Sequence, residues 1–211
     1  MKAVSLISGG IDSPVSSYLA IMSGIEVIYA HFHSFPLVSK ASIHKVIQIV
    51  KALSKHQSPS KLYLIPFGDV QTYLRTRVDP RYLVILYRRI MLRAAERIAE
   101  KEGAGALVTG ESLGQVSSQT LQNLGVIEAA VKMPILRPLI GLDKEEIVNI
   151  AKRIGTYEIS IKPQEDCCTL FVPRRQITAA RIDDVEKIEE DLPVKDLVKK
   201  ALKNVEKVEL M

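Results

Sequence analysis

No tryptophan occurs in this 211-residue sequence, aromatic residues make up only 5% of it, and cysteine is confined to two positions. Those two are neighbours, Cys167 and Cys168. Consecutive Cα atoms lie about 3.8 Å apart, below the roughly 4.4–6.8 Å that a relaxed disulfide spans, which excludes a disulfide-stapled scaffold. The adjacent thiols then serve either chemistry or packing. Long hydrophobic runs are missing too: nothing approaches the ~18 unbroken apolar residues of a membrane span. The N-terminal apolar stretch is broken after a few residues by Gly9, Gly10 and Asp12, unlike a secretory signal. A soluble, cytoplasmic protein with no membrane partner is expected.

What is present is an ordinary globular composition, 47% apolar and 25% charged, in a chain long enough for one real core. The net charge of +5 is unevenly placed. From Arg174 onward basic and acidic residues balance, so the whole excess lies in residues 1–173. That suits an anionic partner such as a nucleotide or RNA.

Five apolar stretches, KAVSLI, IEVIYAHF, KLYLIPF, GALVT and PILRPLI, read as strands, and segments with helical spacing separate them. After Asp12 the residues Val15, Tyr18, Leu19 and Met22 keep the i, i+3, i+4, i+7 rhythm, and Gly24 closes the helix. Ile43, Ile47, Val50 and Leu53 do the same within 39–55. Val84, Tyr87, Met91, Ala95 and Ile98 mark a longer helix over 81–101 that ends at Gly103. Asp143 and Gly155 bracket another. This alternation predicts an α/β fold, a parallel-sheet, Rossmann-like sandwich with helices on both faces. Residues 1–175 are expected to form that domain. Residues 176–211 are expected to be a charged, helical tail that docks through Val194, Leu197, Val198, Ala201 and Val205.

In such a sheet the first β–α turn is a frequent phosphate site. Here it is Ser8-Gly9-Gly10-Ile11-Asp12-Ser13. Glycines let the backbone approach an anion, and the following helix start adds unpaired N–H groups and positive potential. Ser8 and Ser13 supply hydroxyls. Asp12 beside phosphate requires a cation between them, which points to Mg²⁺ on Asp12 and a polyphosphate. The competing reading is a tight turn in which Asp12 or Ser13 caps the helix. Arg88 falls on the apolar side of the 81–101 helix, away from a basic stripe of Arg89, Arg93 and Arg97. It needs an anionic partner, either a ligand or an internal acid. His31 and His33 have metal-like spacing but no third ligand, a weak site.

The six-residue loop lacks the Gly-Lys-Ser/Thr of a Walker A sequence and resembles the SGGxDS loop of the PP-loop ATP pyrophosphatases. TGESLGQVSSQTLQNL (109–124), LRPLIGLDKEEI (136–147) and EDCCTLF (165–171) follow in order. Together the four segments resemble the catalytic domain of the tRNA 4-thiouridine synthase (tRNA sulfurtransferase) family over about residues 2–173. That resemblance implies the adenine nucleotide alpha hydrolase fold and the use of ATP and Mg²⁺. It also implies a reaction in which ATP adenylates the C4 oxygen of a tRNA uridine and a persulfide sulfur displaces AMP. It places Ser8, Gly9, Gly10, Asp12 and Ser13 at the pyrophosphate. Leu6, Ile7, His31, Phe32, Arg88, Gly110 and Gln119 fall around the rest of the nucleotide, with Phe32 against the base. Lys144, otherwise an ordinary surface lysine, becomes a charge stabiliser at the α-phosphate. Arg137 serves the phosphates or a carboxylate. Cys167 meets the incoming persulfide, while Cys168 packs.

Family members carry an N-terminal RNA-binding region with a THUMP domain, and some add a C-terminal rhodanese domain; neither is legible here. Nor can two adjacent cysteines reproduce the three-cysteine pattern with which archaeal relatives hold an iron–sulfur cluster. The expected partners are therefore tRNA, a separate THUMP-containing chain and an external persulfide or sulfide donor. Two other readings stand beside this one. The first is a PP-loop adenylating enzyme acting on another substrate, including sulfur transfer in thiamine synthesis. The second is a non-catalytic nucleotide-binding module.

Overall fold

The computed structural model describes residues 1–114, 119–163 and 176–210. Among them, six strands form one sheet: β1 (Lys2–Leu6), β2 (Glu26–His33), β3 (Ser60–Pro66), β4 (Ala106–Val108), β5 (Ile135–Leu136) and β6 (Glu206–Leu210). Their spatial order is β5-β4-β1-β2-β3-β6. Every pairing is parallel except that of β6, which runs antiparallel to β3. The expected fifth strand shrinks to two residues, because the backbone beyond Leu136 turns away at Pro138.

Helices cover both faces. Alternate strand residues Val4, Ile28, Ala30 and Ile65 face one core, shared with α3 (Gly68–Arg75), α4 (Leu83–Glu102), α5 (Leu121–Glu128), α8 (Ile182–Glu190) and α9 (Val194–Lys203). Ala3, Val27, Tyr29, Leu62 and Leu64 face the other, shared with α1 (Asp12–Met22), α2 (Ala41–Leu53) and α6 (Lys144–Arg153). A short α7 (Tyr157–Ser160) follows α6. Burial on both faces explains why the central strands read as nearly continuous apolar runs. Among the described residues no helix is long and apolar enough to cross a membrane.

The helix over 83–102 buries Val84, Tyr87, Met91, Ala95 and Ile98 as expected. It ends at Gly103 with φ of 66°, a left-handed conformation that costs a glycine nothing. Phe67 stands edge-on to both Tyr87 and Phe32, with ring centroids 6.0 and 5.5 Å apart, a favoured aromatic geometry.

Three expectations are corrected. First, α1 is seated mainly by small residues: Met22 is 61% exposed and Tyr18 and Leu19 pack only partly buried against the core, while the buried face is Ser13, Pro14, Val15, Ser16, Ser17 and Ala20. Small residues let this helix lie close to the sheet, and their hydroxyls are satisfied. Ser16 donates to Thr109 O at 2.7 Å, and Ser17 lies 2.8 Å from Ser5 Oγ. Second, Arg89 and Arg93 are no surface stripe. Arg89 is 1% exposed, and both guanidiniums clamp Glu189 of α8, at 2.7 and 2.6 Å. Burial raises the Glu189 carboxyl, but the two arginines outweigh it and bring its pKa down to about 2. Third, the C-terminal segment is helical through α8 and α9, with Leu197, Val198 and Ala201 buried, but it ends as a sheet strand.

Candidate active site

The chain leaves β1 toward β2 on one side, whereas β4 lies on the other side of β1. The loops after β1 and β4 therefore diverge, and a crevice opens at the C-terminal strand ends, where open α/β sheets bind ligands. A cleft of about 280 Å³ occupies this point. A larger open groove of about 1920 Å³ runs along α4 and α9, but it contains no residue of the β1–α1 loop and is crossed by the Arg89–Arg93–Glu189 ion pairs. The smaller cleft is the one that the β1–α1 loop and the strand ends line together.

Leu6, Ile7, Ser8, Gly10, Asp12 and Ser13 line it from β1 and its loop. His31 and Phe32 line it from β2, Arg88 from α4, and Gly110 and Gln119 from beyond β4. Of the nucleotide-site residues expected from sequence, Gly9 is off this wall, buried within the loop itself, and Lys144 does not line it but pairs with Asp12, which does. Cys167 lies outside the described residues, as does Cys168.

The loop is braced by its own serines. Ser8 N–H donates to Ser13 Oγ at 2.8 Å, and Gly10 N–H donates to Ser8 Oγ at 3.2 Å. These hydroxyls hold the turn's shape and do not stand free in the cleft. No side chain caps α1, so the alternative in which Asp12 or Ser13 serves as N-cap does not occur. First-turn amides without a side-chain cap keep donors that an anion could use. Ser160 of α7 donates to Gly10 O at 3.1 Å, fixing the loop from outside. Gly110 passes so close to α1 that a Cβ there would sit 2.7 Å from both Cα and N of Ser13.

His31 is buried, with Nδ1 3.0 Å from Ile7 O and Nε2 without a partner among the described residues. Burial, opposed in part by that backbone bond, lowers its pKa to about 4, so the ring is neutral at physiological pH. His33 is likewise lowered to about 4, by burial and then by His31.

Asp12 meets Lys144, the first residue of α6, at 2.5 Å. Asp143 caps that helix in a reciprocal capping box with Glu146, which aims Lys144 at the loop. Lys144 is thus brought to the loop by geometry across 132 residues of sequence. Among the described residues no group of three His, Cys, Asp or Glu side chains is arranged to hold a metal. A divalent ion here would depend on Asp12 together with phosphate oxygens and water. Mg²⁺, which keeps several waters and takes one or two carboxylates plus substrate phosphates, fits that donor set.

Sequence reasoning missed Glu111. It is 5% exposed, lines the cleft, and accepts from Arg88 at 2.5 Å and from Arg137 Nε at 2.8 Å. Arg137 also donates to Glu128 at 2.8 Å, so carboxylates are its partners here. Burial works against the Arg137 charge, but Glu111 and Glu128 outweigh it and hold the guanidinium above its usual range. The available signal was an acid three residues beyond the end of β4, with two arginines in search of partners.

A family model described as thiamine biosynthesis protein (ThiI) matches residues 1–194. The chain is 51% identical over 205 residues to a probable tRNA sulfurtransferase of Thermus thermophilus, a match covering 97% of this chain and 50% of that protein. It is 47% identical over 205 residues to one of Moorella thermoacetica, covering 97% and 53%. The crystal structure of a 4-thiouridine synthetase–RNA complex with bound ATP matches with a TM-score of 0.95 at 42% identity, covering 100% of this chain and 55% of that one. The chain spans about half the length of the curated relatives it matches.

Proposed function

The chain belongs to the ThiI family, and from that premise we propose that it is the ATP-dependent catalytic part of a tRNA uridine-thiolating enzyme. The observation that carries this reading is the convergence of the uncapped β1–α1 loop, Asp12 and Arg88 on one cleft at the sheet's switch point, with Lys144 held at its edge by its ion pair to Asp12. A triphosphate laid there has its outer groups on the loop amides and its α-phosphorus near Lys144. The uridine C4 oxygen attacks that phosphorus, the bond to pyrophosphate breaks, and sulfur then displaces AMP from C4. Oxygen on a pyrimidine ring leaves poorly until it is part of a phosphate ester, which is why the nucleotide is consumed.

In this reading the chain's own groups position and neutralise. The loop amides and α1 hold pyrophosphate as it departs, and Lys144 offsets charge at the α-phosphate. Asp12 would hold Mg²⁺, which would supply charge neutralisation for the departing pyrophosphate. The apolar walls from Leu6, Phe32 and Ile127 accept the base, and neutral His31 adds no charge there. Cys167, beyond the described residues, is assigned the persulfide step. We assign the wider grip on tRNA to a THUMP-containing region and sulfur supply to an external persulfide or sulfide donor, all within the cytoplasm.

The test is product analysis with ATP, a tRNA acceptor and sulfide. AMP and pyrophosphate, formed only when RNA is present, are expected; ADP, or no turnover, would overturn the reading. Asp12→Ala is expected to lower AMP release about a hundredfold or more with circular dichroism unchanged.

A further inference from the structure

We propose that Glu111 is a positioning residue for nucleotide binding, which acts by holding the Arg88 guanidinium in its orientation toward the cleft. The inference rests on the nucleotide reading of the site just given. A buried carboxylate in a cleft meant for an anion is a paradox unless its charge is already committed. Both of its oxygens are: Oε1 accepts from Arg88 Nη1 at 2.5 Å, while Oε2 accepts from Arg137 Nε at 2.8 Å and from Thr109 Oγ1 at 2.9 Å. A carboxylate so saturated is poorly suited to act as a base or metal ligand without surrendering a partner.

Arg88 is differently placed. It gives one nitrogen to Glu111, its side chain keeps 23% of its surface open, and it lines the cleft. Its remaining donors are those a phosphate or ribose oxygen can use. The cluster Arg88–Glu111–Arg137 carries one net positive charge, with Glu128 pairing Arg137 at the more exposed outer side. Without Glu111, two guanidiniums would face each other with no anion between them, and Arg88 would lose its fixed direction.

The carboxylate is itself anchored to the elements that shape the site. Thr109, which holds Oε2, donates its N–H to Leu136 O of β5 at 3.0 Å and accepts Ser16 Oγ of α1 at 2.7 Å. The hydrogen-bond path therefore runs from the phosphate-loop helix through Thr109 and Glu111 to Arg88.

Calorimetric titration of ATP into the wild type, Glu111→Gln, Arg88→Ala and the double variant tests this. Glu111→Gln should weaken ATP binding about tenfold, in line with loss of a charged hydrogen bond. In the Arg88→Ala background the same change should add nothing, because its effect passes through Arg88. Unchanged affinity in the single variant, or losses that simply multiply in the double, would overturn the proposal. Should Glu111→Gln fail to fold, Thr109→Val decides the matter. It removes one bond to the carboxylate and should cost a few-fold in affinity with Arg88 present and nothing without it; equal losses in both backgrounds would overturn the idea. A wild type that binds no ATP would sink the nucleotide reading itself, whereas binding with multiplying losses would sink only the role of Glu111.

Discussion

Gly110 is held to glycine by space and not by backbone conformation. A Cβ would meet backbone atoms of Ser13, which cannot swing aside as a side chain could. Gly110→Ala must therefore push the start of α1 off the β4 exit, and overpacking of this kind is expected to weaken ATP binding at least about tenfold. Titration calorimetry checks it, and unchanged affinity would mean the loop has slack. At this scale the sequence was most readable where chemistry is contiguous. Ser8 through Ser13 form one uninterrupted string, and their joint meaning needs no tertiary knowledge. Glu111 was harder to read, because its partners stand 23 and 26 residues away and its place just past β4 does not by itself mark an acid as buried. Arg137 carried two readings for the same reason, until Glu111 and Glu128 were seen beside it.

The helix over 83–102 shows what periodicity delivers at the scale of elements. Its length, its end at Gly103 and its apolar residues all follow from spacing. Its arginines do not, because α4 is covered by the sheet on one side and by α5, α8 and α9 on others, so the buried arc is wider than a single stripe. Arg89 falls inside that arc and depends on Glu189 for its charge. Glu189→Gln leaves Arg89 buried without an anion and should cost about 3–5 kcal/mol, read as a lower denaturant midpoint. No change in midpoint would contradict the clamp. The pH dependence has a definite sign. The carboxyl lies at about 2 folded against 4.5 unpaired, so its stabilisation is complete above pH 4.5 and is lost as pH falls toward 2. The variant should accordingly lose less stability than wild type across that window.

For the whole molecule, alternating strands and helices foretold the α/β class and a parallel sheet, but not the order of strands or its closing edge. Glu206 and Lys207 stand side by side and only Glu209 falls between apolar residues, so this short charged stretch was expected to continue the helical tail. Pairing with β3 is a long-range event between residues 60–64 and 206–210. That strand covers an edge that would otherwise present unpaired backbone groups, so removing residues 206–211 should produce concentration-dependent association in sedimentation. A monodisperse truncated chain would show that β3 needs no cover. The functional crevice follows from the same topology, since the switch between β1 and β4 brings Asp12, Gly110 and Arg88 together.

The most direct measurement is a crystal structure with an ATP analogue that cannot be cleaved between the α- and β-phosphates. The β- and γ-phosphates should sit within hydrogen-bond distance of the Gly9–Asp12 amides, with Arg88 and Lys144 turned to the nucleotide. A nucleotide seated in the groove along α9, or a β1–α1 loop that stays closed to phosphate at saturating analogue, would contradict the account.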